Sequence, residues 1–305
     1  MSINNQRGLH LINQPIKQII ASIPLIAYQG FNWVQVSNLC PTKSEEGKWH
    51  EWWKLYQSKN FSLGNYLGTK EDLKELCKIA HLNGIKIAYD TVLRHTANGD
   101  YGNSKEPNIQ VPEELRNNPQ CWLDKIDMNH YDRYSVTHHC NDLPSLNYDN
   151  EVVRKHYSKL IDELGECGVD MLRIDMAKHF ALPSENSDFW NFLNTKAKEY
   201  NMTIYGEMIQ CDHELMCKYI RETGIDVLID DRSFWDRNKS VLMAYSHDHC
   251  WTWGTHCSDE SVIKGWEEVC CTNPKTLFFS EDRTSDRSGM LWTDRRVREI
   301  NLKYK

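Results

Sequence analysis

The chain has 305 residues, of which 40% are hydrophobic and 11% aromatic, and it carries a formal net charge of −7. This length and composition are typical of one globular domain with a large core, and the negative charge argues against nucleic acid as the main partner. No apolar stretch approaches the roughly 18 to 20 residues that cross a bilayer, and the first residues lack the pattern of a signal peptide. We therefore expect a cytoplasmic protein with no membrane partner.

Short apolar segments alternate with amphipathic segments along the chain. Strands are predicted over residues 9–13, 31–37, 85–91, 169–175, 203–207, 225–229, 241–246 and 276–280. The spacing of apolar residues predicts helices over Lys70–Leu82 and residues 151–166, and a closing helix is predicted over residues 293–305. Eight alternating units of strand and helix predict an α/β fold in which a parallel sheet closes into a (β/α)8 TIM barrel. Residues 1–305 would then form a single barrel domain.

Two connections of this barrel are longer than turns. Residues 38–69 are rich in aromatic residues, and residues 96–150 are rich in Asn, Asp, Pro and Tyr. Connections of this length inside a compact domain usually have a function of their own or are disordered. We predict that residues 96–150 form a small inserted domain after the third strand.

The eleven cysteines are irregularly spaced and form no C-x-x-C pair. Free and mostly buried thiols are therefore expected, without a zinc centre. A zinc site built from His249, Cys250, His256 and Cys257 is the alternative.

Several predicted strands end in acidic residues. Arg173 and Asp175 are two residues apart, so they project from the same face of a strand, and the cation is expected to keep the acid ionised. A purely structural ion pair is the alternative interpretation. Asp90, Glu207 and Asp248 lie at the ends of other strands. Because a parallel barrel collects its active-site side chains at the carboxyl ends of its strands, we expect these acids to meet in one mouth.

Taken in order, these segments resemble the short motifs of the α-amylase family of glycoside hydrolases. The motifs D-x-x-x-x-H, R-x-D-x-x-K-H, G-E and H-D end here at His95, His179, Glu207 and Asp248. The resemblance runs from about Gly8 to the C-terminus, and no segment resembles the family's C-terminal β-domain. It implies a compact, retaining β/α-barrel glycosidase, with residues 96–150 as a reduced domain B.

The resemblance also implies roles for individual residues. Asp175 would be the nucleophile and Glu207 the general acid/base, while Asp248 would bind sugar hydroxyls and stabilise the transition state. Other implied substrate contacts are Arg173, His95, His247 and, on the leaving-group side, Lys178 and His179.

The aromatic connection resembles the W-W-x-x-Y-Q segment of animal-type α-amylases. By that likeness Tyr56 stacks on the sugar at the cleavage point, with Trp52, Trp53 and Gln57 beside it on the non-reducing side. Packing of the tryptophans against the barrel rim is the alternative. Trp251 and Trp253 are candidates for the opposite wall of the cleft.

One family motif is altered in this chain. The residue before its histidine is usually an asparagine that binds calcium between the barrel and domain B, but here it is Arg94. A guanidinium has donors and no lone pair for a metal. We therefore expect no metal and no cofactor, with Arg94 in the calcium position and paired with a carboxylate such as Asp142.

Three functions remain open. The first is hydrolysis of α-1,4-glucosidic bonds in maltooligosaccharides or in starch- and glycogen-type glucans. The second is transfer by a 4-α-glucanotransferase, which uses the same residues. The third is a catalytically silent, carbohydrate-binding barrel.

Overall fold

The computed structural model describes residues 5–46, 49–99, 105–249, 257–279 and 291–305. Eight parallel strands close into a barrel in their order along the chain. These strands are β1 (Gln6–Leu11), β2 (Trp33–Val36), β3 (Lys86–Thr91), β6 (Met171–Ile174), β7 (Thr203–Glu207), β8 (Asp226–Ile229), β9 (Ser240–Met243) and β10 (Lys275–Phe279). The predicted TIM-barrel fold is confirmed, and each barrel strand lies close to its predicted position; Ser280, the predicted end of the last strand, lies outside the described residues.

Helices cover the outside of the barrel. They are α1 (Ile16–Tyr28), α2 (Lys70–Leu82), α5 (Glu151–Cys167), α6 (Phe189–Glu199), α7 (His213–Thr223), α8 (Asp259–Thr272) and α9 (Arg295–Lys303). Helix α2 has its predicted bounds because Thr69 and Asp72 cap its start reciprocally. Helix α5 ends at Gly168, whose φ of 90° provides the left-handed turn into the next strand.

The regular alternation fails at one place. Residues 230–239 connect β8 to β9 without a helix, whereas the (β/α)8 prediction required one. Asp231 accepts hydrogen bonds from the backbone N–H and hydroxyl of Ser233, which fixes a turn where a helix would begin. Phe234 then fills the gap, because its side chain is fully buried in the core.

The predicted excursion follows the third barrel strand. Between β3 and α5 the described residues form helices α3 (Glu113–Arg116) and α4 (Arg133–His138) and two short strands, β4 (Asp124–Asp127) and β5 (His139–Cys140). The two strands pair with each other in a sheet separate from the barrel. Asn98, Asn141, Asp142 and Leu143 of this connection line a cavity at the barrel mouth.

The inside of the barrel has an apolar layer beneath a charged one. Trp33, Met171 and Tyr205 belong to the apolar layer, and Gly8 leaves room for Trp33, because a Cβ there would lie 2.1 Å from the indole ring. Asp90 and Arg173 are register partners on neighbouring strands, nearer the carboxyl ends. The charged layer is thus held at the mouth by the pairing of β3 with β6.

Two expectations from composition concern the described residues only. None of the helices in these ranges is long and apolar enough to span a membrane. The cysteines in the same ranges are free, and most are buried. The zinc alternative depends on Cys250 and His256, which lie outside them.

Candidate active site

One guanidinium joins three carboxylates at the barrel mouth. Arg173 Nη1 donates to Asp90 Oδ1 and to Asp175 Oδ1, each at 2.7 Å, and Nη2 donates to Glu207 Oε1. The arginine is 1% exposed, and it lies on β6 between the strands that carry Asp90 and Glu207. Asp175 follows β6 directly. The structure thus brings together the acids of three neighbouring strands.

Burial changes the charge balance expected from the sequence. Removal from water raises the pKa of Asp175 well above its usual range, and the Arg173 guanidinium opposes this only in part. Burial also raises the pKa of Asp90. The direction of this shift is opposite to the one expected for an isolated ion pair with Arg173, because the single cation is shared among three largely buried carboxylates. Asp90 and Asp175 therefore keep their protons to a higher pH than isolated carboxyl groups would.

The turn after the predicted nucleophile holds the predicted acid. Met176 adopts a left-handed conformation with φ 51°, which is costly for a residue with a side chain. This conformation directs its backbone N–H to Glu207 Oε2 at 3.1 Å. Both carboxylate oxygens of Glu207 therefore accept hydrogen bonds, one from Met176 and one from Arg173.

Tyr56 links the aromatic connection to the charged cluster. Its hydroxyl donates to Asp90 Oδ2 at 3.0 Å, and its ring lies nearly parallel to His247, with 5.7 Å between centroids. His95 Nε2 donates to the Tyr56 carbonyl at 2.9 Å. Burial lowers the pKa of His95 to about 4 and that of His247 to about 3. Both imidazoles are therefore neutral near pH 7.

A cavity of about 560 Å³ opens above these residues. Its walls are Trp52, Trp53, Tyr56, Gln57, His95, Asn98, Asn141, Asp142, Leu143, Asp175, Met176, Glu207, His247 and Asp248. Most of the predicted site residues lie here, and Arg173 lies directly beneath. The sequence did not predict four of these residues, because loop residues show no periodicity that would reveal where their side chains point. They are Asn98, Asn141, Leu143 and Met176. Trp251 and Trp253 lie outside the described residues.

Lys178 and His179 do not line this cavity. They contribute to a separate one of about 630 Å³, together with Gln210, which follows Glu207 by three residues. Lys178 Nζ donates to the carbonyl of Ile209 at 2.7 Å. His179 is buried, and within the described ranges its Nδ1 has no hydrogen-bond partner. That these two residues contact the leaving-group side of the substrate stays a prediction, since they line this second cavity and not the main one.

Arg94 joins the excursion to the barrel through carbonyl groups. Its Nε donates to the carbonyl of His179 at 3.2 Å, and its Nη2 donates to the carbonyl of His139 at 2.9 Å and to that of Thr137 at 3.3 Å. In the part of the chain that the structure describes, no carboxylate pairs with Arg94, so the predicted pairing with Asp142 is wrong. Asp142 lines the main cavity instead.

The carbonyl oxygens that could bind calcium already face the buried guanidinium of Arg94. The residues present therefore do not fit a calcium ion in addition to this cation. Calcium requires six to eight oxygen ligands, whereas the carbonyl oxygens of Thr137, His139 and His179 already accept hydrogen bonds from the guanidinium. Among the described residues, no three His, Cys, Asp or Glu side chains are placed to hold a metal. We propose on the strength of the Arg94 contacts that calcium has no structural role here.

Comparison with known proteins relates this site to one family. Residues 39–232 match the family model described as alpha amylase, catalytic domain. The alpha-amylase of Clostridium acetobutylicum is 32% identical in an alignment of length 215 that covers 66% of this chain and 28% of that protein. An alpha-amylase-related protein of Drosophila auraria is 29% identical in an alignment of length 285 that covers 87% of this chain and 54% of that protein. The chain thus spans only part of the length of these curated relatives.

Solved structures show the same fold. An Anoxybacillus alpha-amylase superposes with a TM-score of 0.76 at 15% identity, covering 99% of this chain and 78% of that one. Alpha-amylase I from Eisenia fetida gives a TM-score of 0.75 at 15% identity, with 97% of this chain and 77% of that chain covered.

The Arg94 contacts predict how stability responds to substitution and to chelators. Arg94→Leu should lower the free energy of unfolding by about 3 kcal/mol or more, because several buried carbonyls lose their donor. Asp142→Asn is the control and should change it by less than about 0.5 kcal/mol. Thermal melts with and without a chelator should coincide for the unaltered protein. A lower melting temperature after chelation, or about one calcium per chain by elemental analysis, would contradict this account.

Proposed function

Because this chain belongs to the alpha-amylase family, we propose that it is a retaining glycosidase that hydrolyses α-1,4-glucosidic bonds in maltooligosaccharides or in starch- and glycogen-type glucans. The observation that carries the proposal is the attachment of Asp175 and Glu207 to the two terminal nitrogens of the same buried guanidinium. A retaining glycosidase needs two carboxyl groups about 5 to 5.5 Å apart on either side of the scissile bond. Asp175 and Glu207 bind the same guanidinium at the wall of a cavity, so their carboxyl groups lie close together, as this mechanism requires.

In the first step Asp175 attacks the anomeric carbon. Arg173 holds Oδ1, so Oδ2 is the oxygen that forms the bond to the sugar. The bond between the anomeric carbon and the glycosidic oxygen breaks, and Glu207 gives its proton to that oxygen. Both Glu207 oxygens accept hydrogen bonds in the free protein, and the protonated carboxyl group can still donate, because its hydroxyl oxygen keeps lone pairs for acceptance.

In the second step Glu207 acts as a base. It removes a proton from a water molecule whose oxygen attacks the anomeric carbon, and the bond to Asp175 Oδ2 breaks. Two inversions at one carbon give retention of configuration. Proton and electron pairs balance over the cycle, and the free site is restored.

The sugar at the cleavage point contacts a neutral aromatic wall. Tyr56 provides the stacking face, and its hydroxyl is fixed by Asp90 so that the ring cannot turn away. His95 and His247 are uncharged, so they can bind sugar hydroxyls and do not compete with Arg173 for the carboxylates. Asp248 is half-buried beside His247. It is the third catalytic acid after Asp175 and Glu207, and it stabilises the positive charge that develops on the sugar.

A 4-α-glucanotransferase is the second candidate. The observation that keeps it a candidate is that the three acids it requires, Asp175, Glu207 and Asp248, line one cavity. In transfer, an acceptor hydroxyl replaces water in the second step, and every catalytic residue is shared. A catalytically silent barrel is disfavoured, because Asp175, Glu207 and Asp248 all line the main cavity.

Product mapping separates these functions. The protein is incubated with maltooligosaccharides of defined length, and the products are resolved by chromatography. Hydrolysis predicts only shorter oligosaccharides, with the α-configuration at the new reducing end. Longer products would indicate transfer, and the absence of any product would contradict a glycosidase.

Substitution of the two acids should have different consequences. Asp175→Asn should reduce kcat by at least about a thousandfold on every substrate, because no covalent intermediate can form. Glu207→Gln should lose much less in the first step on a substrate with an activated leaving group than on an oligosaccharide. Pre-steady-state bursts measure that step.

Asp170→Asn is the matched control, because Asp170 lies near the start of β6 and pairs with His81 at 2.8 Å, away from the cavity. Its kcat should stay near that of the unaltered protein. Activity of Asp175→Asn within about tenfold of that value, or equal losses of Glu207→Gln on both kinds of substrate, would overturn the assignment of roles.

The raised pKa of Asp175 predicts the acidic limb of the pH profile. Attack requires the carboxylate, so kcat/KM should fall as the pH drops through this raised pKa, which lies above the usual value of about 3.9. Asp90→Asn should move the limb to lower pH, because a neighbouring negative charge disappears and Arg173 is shared by fewer acids. Profiles of kcat/KM against pH for both proteins measure the shift. A limb at or below about pH 4, or a limb that moves upward in the variant, would contradict the burial argument.

A further inference from the structure

A histidine links the ends of two neighbouring barrel strands. Asp230 directly follows β8, and Ser246 lies three residues beyond the end of β9. His249 reaches both residues: its Nε2 lies 3.2 Å from Asp230 Oδ2, and its Nδ1 lies 2.9 Å from Ser246 Oγ. The register of the two strands ends at the pair of Ile229 and Leu242. The imidazole therefore extends the connection between β8 and β9 beyond the hydrogen bonds of the sheet.

This bridge lies beside residues that line the main cavity. His247 and Asp248 line that cavity, whereas Ser246, which precedes them, is only 3% exposed. The side chains of His249 and Asp230 are 18% and 22% exposed. Hydrogen bonds among groups that are largely shielded from water are stronger than those at an open surface. The bridge is therefore a firm link rather than a contact that solvent replaces.

The hydrogen bonds determine which nitrogen of His249 carries the proton. The backbone N–H of Ser246 donates to Nδ1 at 3.2 Å. Because a backbone N–H can only donate, Nδ1 is an acceptor and carries no proton. The proton of the ring is then on Nε2, which faces Asp230. His249 thus accepts from Ser246 on one side and donates to Asp230 Oδ2 on the other.

Ser246 and His249 also form a reciprocal cap. Helical backbone begins at His247, and the N–H of His249 returns to Ser246 Oγ at 3.5 Å. In a capping box the side chain of the third helical residue accepts from the N–H of the capping residue, and glutamate or glutamine is usual there. An imidazole or a carboxamide in that position can accept this N–H and also donate to Asp230. A carboxylate can only accept.

Asp248 lies inside this cap, between Ser246 and His249 in the chain. Its backbone is therefore held from both sides, while its side chain enters the main cavity. We propose that Asp230 and His249 are positioning residues for Asp248, because the bridge from β8 fixes the turn after β9 that carries this acid. The proposal rests on the proposed function, in which Asp248 stabilises positive charge on the sugar. A displacement of about 1 Å at such a group can cost about a hundredfold in rate.

Two substitutions of His249 separate the bridge from the cap. His249→Gln retains both hydrogen bonds, so kcat on maltotetraose should stay within about threefold of the unaltered protein. His249→Glu retains the cap but places a carboxylate against Asp230. Its kcat should fall at least about thirtyfold while KM changes less than about twofold, because Asp248 acts mainly in the transition state.

An exchange of donor and acceptor should restore the bridge. In the double variant Asp230→Asn/His249→Glu, the new amide can donate to the new carboxylate, so kcat should return to within about threefold of the unaltered protein. Asp230→Asn alone keeps an oxygen that accepts from His249 and should change kcat little. Thermal melts check that each variant is folded. Loss of stability alone would not produce recovery of kcat in the double variant.

The bridge should act through Asp248 and not through the fold in general. In an Asp248→Asn background, His249→Glu should lower kcat further by less than about twofold, because the group to be positioned is already gone. His213→Ala is the matched control. His213, the first residue of α7, pairs with Asp231 at 2.5 Å, so this variant breaks a similar pair next to Asp230. Its kcat should be unchanged.

A binding measurement separates this proposal from the proposed function, because it needs no turnover. A maltosyl derivative of a cationic iminosugar imitates the charged transition state, and calorimetry should show that it binds His249→Glu at least about tenfold more weakly. Neutral maltotriose should bind both proteins equally. In a protein that cleaves nothing, this pair of results supports the positioning of Asp248 and overturns the proposed function.

Other outcomes overturn the positioning role. They are equal kcat values for His249→Gln and His249→Glu, a double variant that does not recover, and a full further loss in the Asp248→Asn background. In a protein that cleaves maltotetraose, each of them leaves the proposed function standing. Equal binding of the iminosugar to the unaltered protein and to His249→Glu, without any turnover, overturns both.

Discussion

The structure depends on one buried guanidinium that holds three carboxylates. Removing charged groups from water costs several kcal/mol for each ion unless they are paired with good geometry. Arg173 provides that pairing for Asp90, Asp175 and Glu207 at once. No local segment of chain can supply three acids around one arginine, so the barrel has to close with β3, β6 and β7 side by side. The pairing of these strands therefore also fixes the position of the charged layer in the barrel.

The histidines around the cluster of Arg173 and its three carboxylates carry no charge near neutral pH. His247 lies between Tyr56, with which it stacks, and His10, which meets it edge to face at 5.7 Å. Burial lowers the pKa of His10 well below its usual value, as it does for His247. Near neutral pH the aromatic wall thus adds no cation to that of Arg173, and the proton content of the site is set by the carboxylates.

Much of this arrangement could be predicted from the sequence. Strands were found because apolar residues recur with a short period, and the acids were found because each stands where a strand ends, as Asp90 and Glu207 do. The sequence could not predict the loss of a helix at residues 230–239, because that depends on Asp231 fixing a turn and on Phe234 filling the core. It also could not predict that Arg94 donates to carbonyl groups, because every residue has a backbone carbonyl and the sequence does not mark which of them will accept a hydrogen bond.

The raised pKa of Asp175 belongs to the same class of missed features. An arginine two residues from an acid predicts a lowered pKa for an isolated pair, but sharing and burial are properties of the assembled barrel. The turn at Met176 likewise appears only in three dimensions, because a left-handed methionine has no sequence signature.

The central claim, that Asp175 is the nucleophile held on Arg173, is tested most directly by trapping the covalent intermediate. In the Glu207→Gln variant, α-maltosyl fluoride needs no acid to leave, whereas the second step lacks its base, so the glycosyl-enzyme should accumulate. Rapid quenching, proteolysis and mass spectrometry then locate the sugar. We predict a maltosyl group on the peptide that contains Asp175, attached at that residue. A maltosyl group on Asp90 or Asp248, or complete turnover to a product of inverted configuration with no labelled peptide, would contradict the account.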